Sequence, residues 1–377
     1  MNSDRRSFLK KAGITGAGLL SSPYLNATTG SLDFLPRFNF EPVPSAAQRS
    51  WMELQFGLFI HFGINTYYDK EWSDGSLDPY RVDPNKLNTM EWCRTALDAG
   101  MKYIVLVCKH HDGFCLWPSK YTDYTISRSR FSRDIVASLV NSCENTGLKL
   151  GFYYSLWDQH VAFSKNDDWY LLEFILNQLE ELLTGYGPVV ELLFDGFWER
   201  QQSGWTQKTE PAVEEAQEPV DLNKRDEDFI KAWRMEGAYR WQMDHIYNFV
   251  KNLQPECNVM NNSTAAYQGV PLFPVDARNG ERYKNPENDR KIWNWLGRGI
   301  YMPLQIETTM STKGNQRFPS GNWFWHEWDR SVMSKEEILN YLNTAKTSEA
   351  NLLLNVGPTN LGVLREEDEK ILRTLFN

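Results

Sequence analysis

The chain is poor in the residues that build metal centres and disulfide frameworks. Its five cysteines (Cys93, Cys108, Cys115, Cys143 and Cys257) contain no CxxC pair and are odd in number. Most fall in apolar strand-like or helix-like patterns, which reads as buried thiols rather than cross-links. Histidine is scarce too, six in 377 residues, and none is spaced HxH or HxxxH. Those spacings would put two imidazoles on one face of a strand or helix, so no metal site is expected. Basic charge is not in excess: 40 Lys and Arg against 49 Asp and Glu leave a net charge of −9. That excludes the positive footprint that nucleic acid demands. No internal run of 18 or more apolar residues predicts a membrane span after the N-terminus. No GxGxxG follows the first strand, which removes the dinucleotide fingerprint, and no cofactor is expected.

Aromatic residues are abundant: 14% of the chain, with 15 Trp. Trp and Tyr join an apolar face to a polar tip, which suits cores and sugar-binding clefts alike. At the start, Ser3-Asp4-Arg5-Arg6-Ser7-Phe8-Leu9-Lys10-Lys11 precedes a weakly apolar stretch to Leu20. This is a twin-arginine type signal, so residues 1–30 are expected to be a leader and the protein exported, periplasmic or secreted.

After the leader, strand and helix patterns alternate. Leu54 to His61, Lys102 to Cys108, Leu148 to Tyr154 and Val189 to Phe194 read as the first four strands. Helices are expected from Asn88 to Ala99, from Ser132 (as the cap) to Asn145, and from Trp169 to Leu183. From about 199 to 228 the chain turns Gln-, Glu- and Pro-rich, which reads as an acidic surface insertion. A helix from Trp241 to Leu253 and a strand from Asn258 to Asn261 resume the pattern. Apolar segments follow near Pro271–Val275 and Gly299–Ile306. A helix from Lys335 to Ala345, a strand from Asn351 to Val356 and a helix from Arg365 to Phe376 complete it. Such regular alternation predicts a single (β/α)8 barrel over residues 31–377.

In a barrel the carboxyl ends of the strands carry the site. Here they hold His61, His110-His111-Asp112, Trp157-Asp158, Asp195, Glu307 and Asn355. Two chemistries fit such a set, metal-assisted hydrolysis and carboxylate-pair glycoside cleavage. The metal reading is the weaker, because adjacent residues of a regular strand face opposite ways and His110 and His111 could not share an ion. Asp195 is the sharpest carboxylate, since it closes a strand and precedes a glycine that turns the loop away.

The run Lys109-His110-His111-Asp112-Gly113-Phe114-Cys115-Leu116-Trp117 joins others in a specific order. Phe56-Gly57-Leu58-Phe59-Ile60-His61-Phe62-Gly63, Glu71-Trp72, Gly151-Phe152-Tyr153-Tyr154-Ser155, Leu193-Phe194-Asp195-Gly196, Ile306-Glu307 and Leu352 to Pro358 complete the set. Together they resemble the α-L-fucosidases, family 29 of the glycoside hydrolases, over residues 42 to 377. Pro42-Val43-Pro44-Ser45 and Trp323-Phe324-Trp325-His326 are similar to the branch that takes α-1,3/1,4-linked fucose. The resemblance implies a retaining double displacement without a metal, with Asp195 as nucleophile and a fucosylated oligosaccharide or glycan as substrate. In that branch the acid/base lies in a segment D-x-R-W-x-G-[ND]-E. Its counterpart is Asp276-Ala277-Arg278-Asn279-Gly280-Glu281, shorter and without the Trp. This implies Glu281 as acid/base, with Glu307 as the fallback and Glu199 third. The resemblance also implies hydroxyl recognition or stacking by His61, Glu71, Trp72, His110, His111 and Tyr153, and places Trp323 and Trp325 near the leaving-group sugar. The family often carries a C-terminal β-sandwich, and none is expected here. Two alternatives stay open: a glycosidase for another fucose-like sugar such as an α-L-galactoside, and a catalytically inactive carbohydrate-binding barrel.

Overall fold

The computed structural model describes residues 42–161, 168–197, 222–263, 267–284, 286, 289–314 and 321–376. The expected leader and residues 199–221 of the expected insertion lie outside them. Eight parallel strands form one sheet: β1 (Phe56–Ile60), β2 (Tyr103–Lys109), β3 (Lys149–Ser155), β4 (Glu191–Asp195), β5 (Asn258–Asn261), β6 (Arg278–Glu281), β9 (Leu304–Thr309) and β10 (Ala350–Val356). Around the sheet they run β5-β4-β3-β2-β1-β10-β9-β6. A parallel bridge between Asn262 and Asn279 joins the two edge strands and brings the sheet round to a barrel. The expected architecture is what the chain adopts.

Alternation of side chains sorts the barrel into two cores. Phe59, Tyr103, Val105, Val107, Tyr153, Leu193, Met260, Ala277 and Leu353 pack inside. Their neighbours Leu58, Ile104, Leu106, Phe152, Leu192, Val259 and Leu354 pack outward in the larger cluster under the helices. The short helix α1 (Ala46–Met52) opens on a Ser45/Gln48 capping box and contributes Trp51 to the inner core. Trp51 Nε1 donates to Glu191 Oε2 at 2.6 Å, which gives the first inward carboxylate of β4 a structural partner.

The outer helices largely follow their sequence signals. Asn88 caps α2 (Thr89–Asp98) by accepting from the Glu91 amide. Gly147 ends α3 (Ile135–Thr146) in the left-handed conformation, but the N-cap is Asp134, not Ser132. Asp134 accepts from the Ala137 amide, three residues on, as an N-cap must. Residues 222–228, expected to be part of the insertion, begin the helix Leu222–Ala232. The apolar segment Pro271–Val275 is not a strand; β6 starts at Arg278, and a two-stranded hairpin (β7, Ile292–Trp295; β8, Arg298–Tyr301) connects it to β9. All five cysteines are buried free thiols, as read. Among the described residues no helix is long and apolar enough to cross a membrane.

Candidate active site

The site is built from the last inward residue of several strands and the loops just beyond them. Its irregular element is β2. Val107 pairs with Tyr153, but Lys109 pairs with Tyr154, so β2 carries one extra residue there. The extra residue turns Lys109 outward, where Nζ lies 2.9 Å from Asp158 Oδ2, 2.9 Å from the Tyr154 hydroxyl and 3.2 Å from Gln178 Oε1. The strand then stops, and His110 and His111 both stand on the inner side. Strand alternation alone predicts one of them outside. The irregularity falls at Val107–Lys109, just before the Asp112-Gly113 turn.

Three imidazoles cluster at the mouth. His110 lies 4.1 Å from His111 and 5.8 Å from His61, ring centre to ring centre, and 5.8 Å from Tyr153 in a near-parallel stack. Burial pushes the His61 pKa down to about 3, with its Asn355 bond opposing, so the ring is neutral. Asn355 uses Nδ2 on the Trp323 carbonyl and Thr309, leaving Oδ1 to accept from His61 Nδ1 at 2.7 Å. His61 Nε2 is therefore the acceptor, suited to a sugar hydroxyl. Burial, with His111 and His61 nearby, also pushes His110 down. Among the described residues His110 Nδ1 is buried with no hydrogen-bond partner, and a buried polar atom in that state calls for an explanation, here its place at the mouth of the site. His111 Nδ1 pairs with Ser155 Oγ at 2.7 Å while Nε2 lies 3.9 Å from Asp195 Oδ2. Trp72 and Trp157 meet each other and His111 at 5.1–5.6 Å.

Asp195 ends β4 and is buried. Tyr153 donates to its Oδ2 at 2.7 Å and the Gly196 amide to its Oδ1 at 2.7 Å. Burial raises its pKa to about 7; the Tyr153 bond pulls it down and the Glu281 charge pushes it up. Glu281 ends β6, where Oε2 accepts from Asn262 Nδ2 at 3.2 Å and Oε1 lies 3.7 Å from Arg282 Nε. Asn262 also hydrogen-bonds Asp195, so one amide joins the two carboxyls across the closing seam of the barrel. Its Oδ1 accepts from Asn279 at 3.2 Å. Glu307 pairs with Glu281 in register but is fully buried, and burial drives its pKa well up, with Asn279 opposing and the charges of Glu281 and Asp195 adding to the rise. Burial thus favours the uncharged form of Glu307 next to Glu281. Glu199 lies outside the described residues.

Glu71 is buried and committed to protein. Its Oε2 accepts from the Trp323 amide at 2.9 Å, and Oε1 from the Phe324 amide at 3.0 Å. It therefore shapes the loop that brings Trp323 within 5.1 Å of His61. Phe324, not Trp325, is the second aromatic of that loop against the histidines, at 5.4 Å from His61 and 5.0 Å from His110. Among the described residues Trp325 is half-buried and makes no ring contact with this cluster. Sequence reasoning missed Asn262, Phe324 and the contact role of Trp157. The Asn261-Asn262-Ser263 run closing a strand was the available signal for the first.

A rim of three imidazoles over two linked carboxyls, walled by Trp72, Trp157, Trp323 and Phe324, is a geometry for gripping hydroxyls and attacking carbon. A sequence model of the alpha-L-fucosidase family matches residues 79–376. The chain belongs to that family. Alpha-L-fucosidase 1 of Arabidopsis thaliana is 28% identical over 347 residues, covering 88% of this chain and 59% of its own. The solved structure of a glycoside hydrolase 29 family member from an unknown rumen bacterium superposes with a TM-score of 0.69 at 25% identity, over 89% of this chain and 56% of that one. An alpha-L-fucosidase of that family from Bacteroides thetaiotaomicron shares the fold, with a TM-score of 0.66 at 24% identity over 89% and 74% of the two chains. This fucosidase-family chain thus spans a little over half the length of the first two relatives.

Proposed function

We propose that this chain is a retaining, exo-acting α-L-fucosidase that removes terminal α-L-fucose from oligosaccharides or glycoconjugates. The observation that carries the reading is the Asn262 amide shared by Asp195 and Glu281 beneath three clustered imidazoles. In the first step Asp195 attacks the anomeric carbon while Glu281 protonates the departing glycosidic oxygen, leaving a fucosyl-aspartate ester. In the second, Glu281 takes a proton from water, whose oxygen displaces Asp195 and releases fucose. His61 Nε2 and His110 Nδ1 receive ring hydroxyls, and the Trp walls cover the apolar face and the C5 methyl. The Pro42–Ser45 and Trp323–His326 segments support α-1,3/1,4-linked fucose as the preferred linkage. The twin-arginine pattern at Arg5-Arg6 supports action outside the cytoplasm.

The test is turnover of aryl α-L-fucoside, aryl α-L-galactoside, and Lewis-type and 2′-fucosylated oligosaccharides by the wild type, Asp195→Asn and Glu281→Ala. Fucoside turnover lost in Asp195→Asn, with azide restoring Glu281→Ala and yielding a fucosyl azide, is the expected result. Galactoside preferred over fucoside moves the substrate to another fucose-like sugar. Binding without turnover on every sugar removes the enzyme reading, and azide rescue of Glu307→Ala instead moves the acid/base one strand over.

A further inference from the structure

The aromatic wall beside His61 is carried by a loop, and loops do not fix rings unaided. Here the fixing is done by an arrangement of charge away from the sugar. His326, buried on the same loop, lies between two carboxylates: Nδ1 is 2.7 Å from Asp69 Oδ1 and Nε2 is 2.8 Å from Glu71 Oε1. Since a carboxylate only accepts, both ring nitrogens must donate, and only the imidazolium has two N–H groups. Burial works against that charge, but Glu71 and Asp69 together raise the His326 pKa above its ordinary value. The other charged groups at this position are held elsewhere. Asp329 bonds Ser311, Asn322 and Ser331, and Arg365 pairs with Asp368.

Glu71 is the pivot. The carboxylate that His326 holds also accepts the amides of Trp323 and Phe324, and the Trp323 carbonyl accepts from Asn355, which in turn orients His61. We propose that His326 is a positioning residue that sets Trp323 and Phe324 at the sugar-facing rim through Glu71, and that it serves substrate binding rather than bond cleavage. The proposal deepens the fucosidase reading, on which only the choice of assay depends. Its structural half needs no sugar at all.

Two measurements decide it. In amide hydrogen exchange of the full chain, the Trp323 and Phe324 amides exchange at least tenfold faster in His326→Ala than in wild type, while the inner strands β2 and β3 are unchanged. In kinetics on an aryl α-L-fucoside, His326→Ala raises KM about tenfold with kcat within threefold, and Trp323→Ala does the same. The double variant His326→Ala/Trp323→Ala is then no worse than Trp323→Ala alone, because both remove one shared interaction. Asp69→Asn, a milder change at a half-exposed partner, gives a smaller rise in both readouts and serves if His326→Ala fails to fold. Unchanged exchange at Trp323 and Phe324 in these variants overturns the proposal, as do multiplying KM effects or a fall in kcat at constant KM. A wild type inert on α-L-fucosides defeats the fucosidase reading, and the exchange result still decides the role of His326.

Discussion

Tyr153 donates its hydroxyl to Asp195 Oδ2 across 2.7 Å, from the inner face of the neighbouring strand. That bond is the main force resisting the rise that burial imposes on the Asp195 pKa. A hydrogen bond to the charged form favours it, so its removal leaves the carboxyl protonated to higher pH. Tyr153→Phe is expected to move the acid limb of the kcat/KM profile upward by about one pH unit, the size of one hydrogen bond to a charged group. The loss is therefore larger at pH 5 than at pH 8. An acid limb that stays in place would detach Tyr153 from the ionisation of Asp195.

The same raised pKa makes the carboxylate a cost to folding. Asp195 takes up protons at higher pH in the folded chain, about 7, than its ordinary value of 3.8. Between those values the native state holds more protons than the unfolded state, so stability falls as pH rises through the window and stays low above it. Asp195→Asn carries no charge and escapes this. It is expected to melt a few degrees higher than wild type at pH 8, with the difference closing towards pH 4, while turnover is lost. Thermal melts at the two pH values check it; a variant less stable than wild type at pH 8 contradicts it.

Glu281 and Glu307 neighbour each other in register but differ in surroundings. Glu281 keeps 18% of its side chain exposed beside Arg282, whereas Glu307 is sealed under Asn279. An acid that protonates a leaving group matters most when that group leaves poorly. Glu281→Gln is expected to lose about 100-fold or more on oligosaccharides and far less on a nitrophenyl glycoside. Glu307→Gln, which keeps a hydrogen-bonding group of the same shape at the buried position, stays within about tenfold on both. Kinetics on the two leaving groups separate them, and the reverse pattern would transfer the acid role to Glu307.

Behind the histidines, the Lys109–Asp158 pair is fully buried at 2.9 Å. Lys109→Met leaves the carboxylate uncompensated and is expected to cost about 3–5 kcal/mol in denaturant unfolding. Lys109→Met/Asp158→Leu recovers only part, because Asp158 Oδ1 also accepts the His160 and Val161 amides. A double variant as stable as wild type would show those loop bonds to be dispensable.

What the sequence made legible was periodic or terminal. Alternating strands gave the barrel, and Asp195, His61 and Asn355 could be read as strand ends because each follows an apolar run that must be buried. Less legible was whatever depends on contacts between distant segments. Glu71 next to Trp72 suggests a sugar contact, but its carboxylate is spent on amides some 250 residues away. Asn262 carries no motif, yet closes the barrel and joins the two carboxyls. The start of β6 escaped because Arg278-Asn279-Gly280-Glu281 is polar on both faces: Arg278 reaches Asp289 on the outside, while Asn279 and Glu281 serve the inside. An apolar count has no purchase on such a strand.

The added residue in β2 decides by parity what the sugar meets. With one residue fewer between Val107 and His110, the register would continue unbroken. With Cys108 kept and no bulge, strict alternation would instead turn the ammonium of Lys109 inward and His110 outward, splitting the two imidazoles between opposite faces. The hydroxyl-gripping rim of this barrel is therefore a matter of counting as much as of composition: one bulged residue turns the Lys109 ammonium away towards Asp158 and leaves this strand end to the imidazoles.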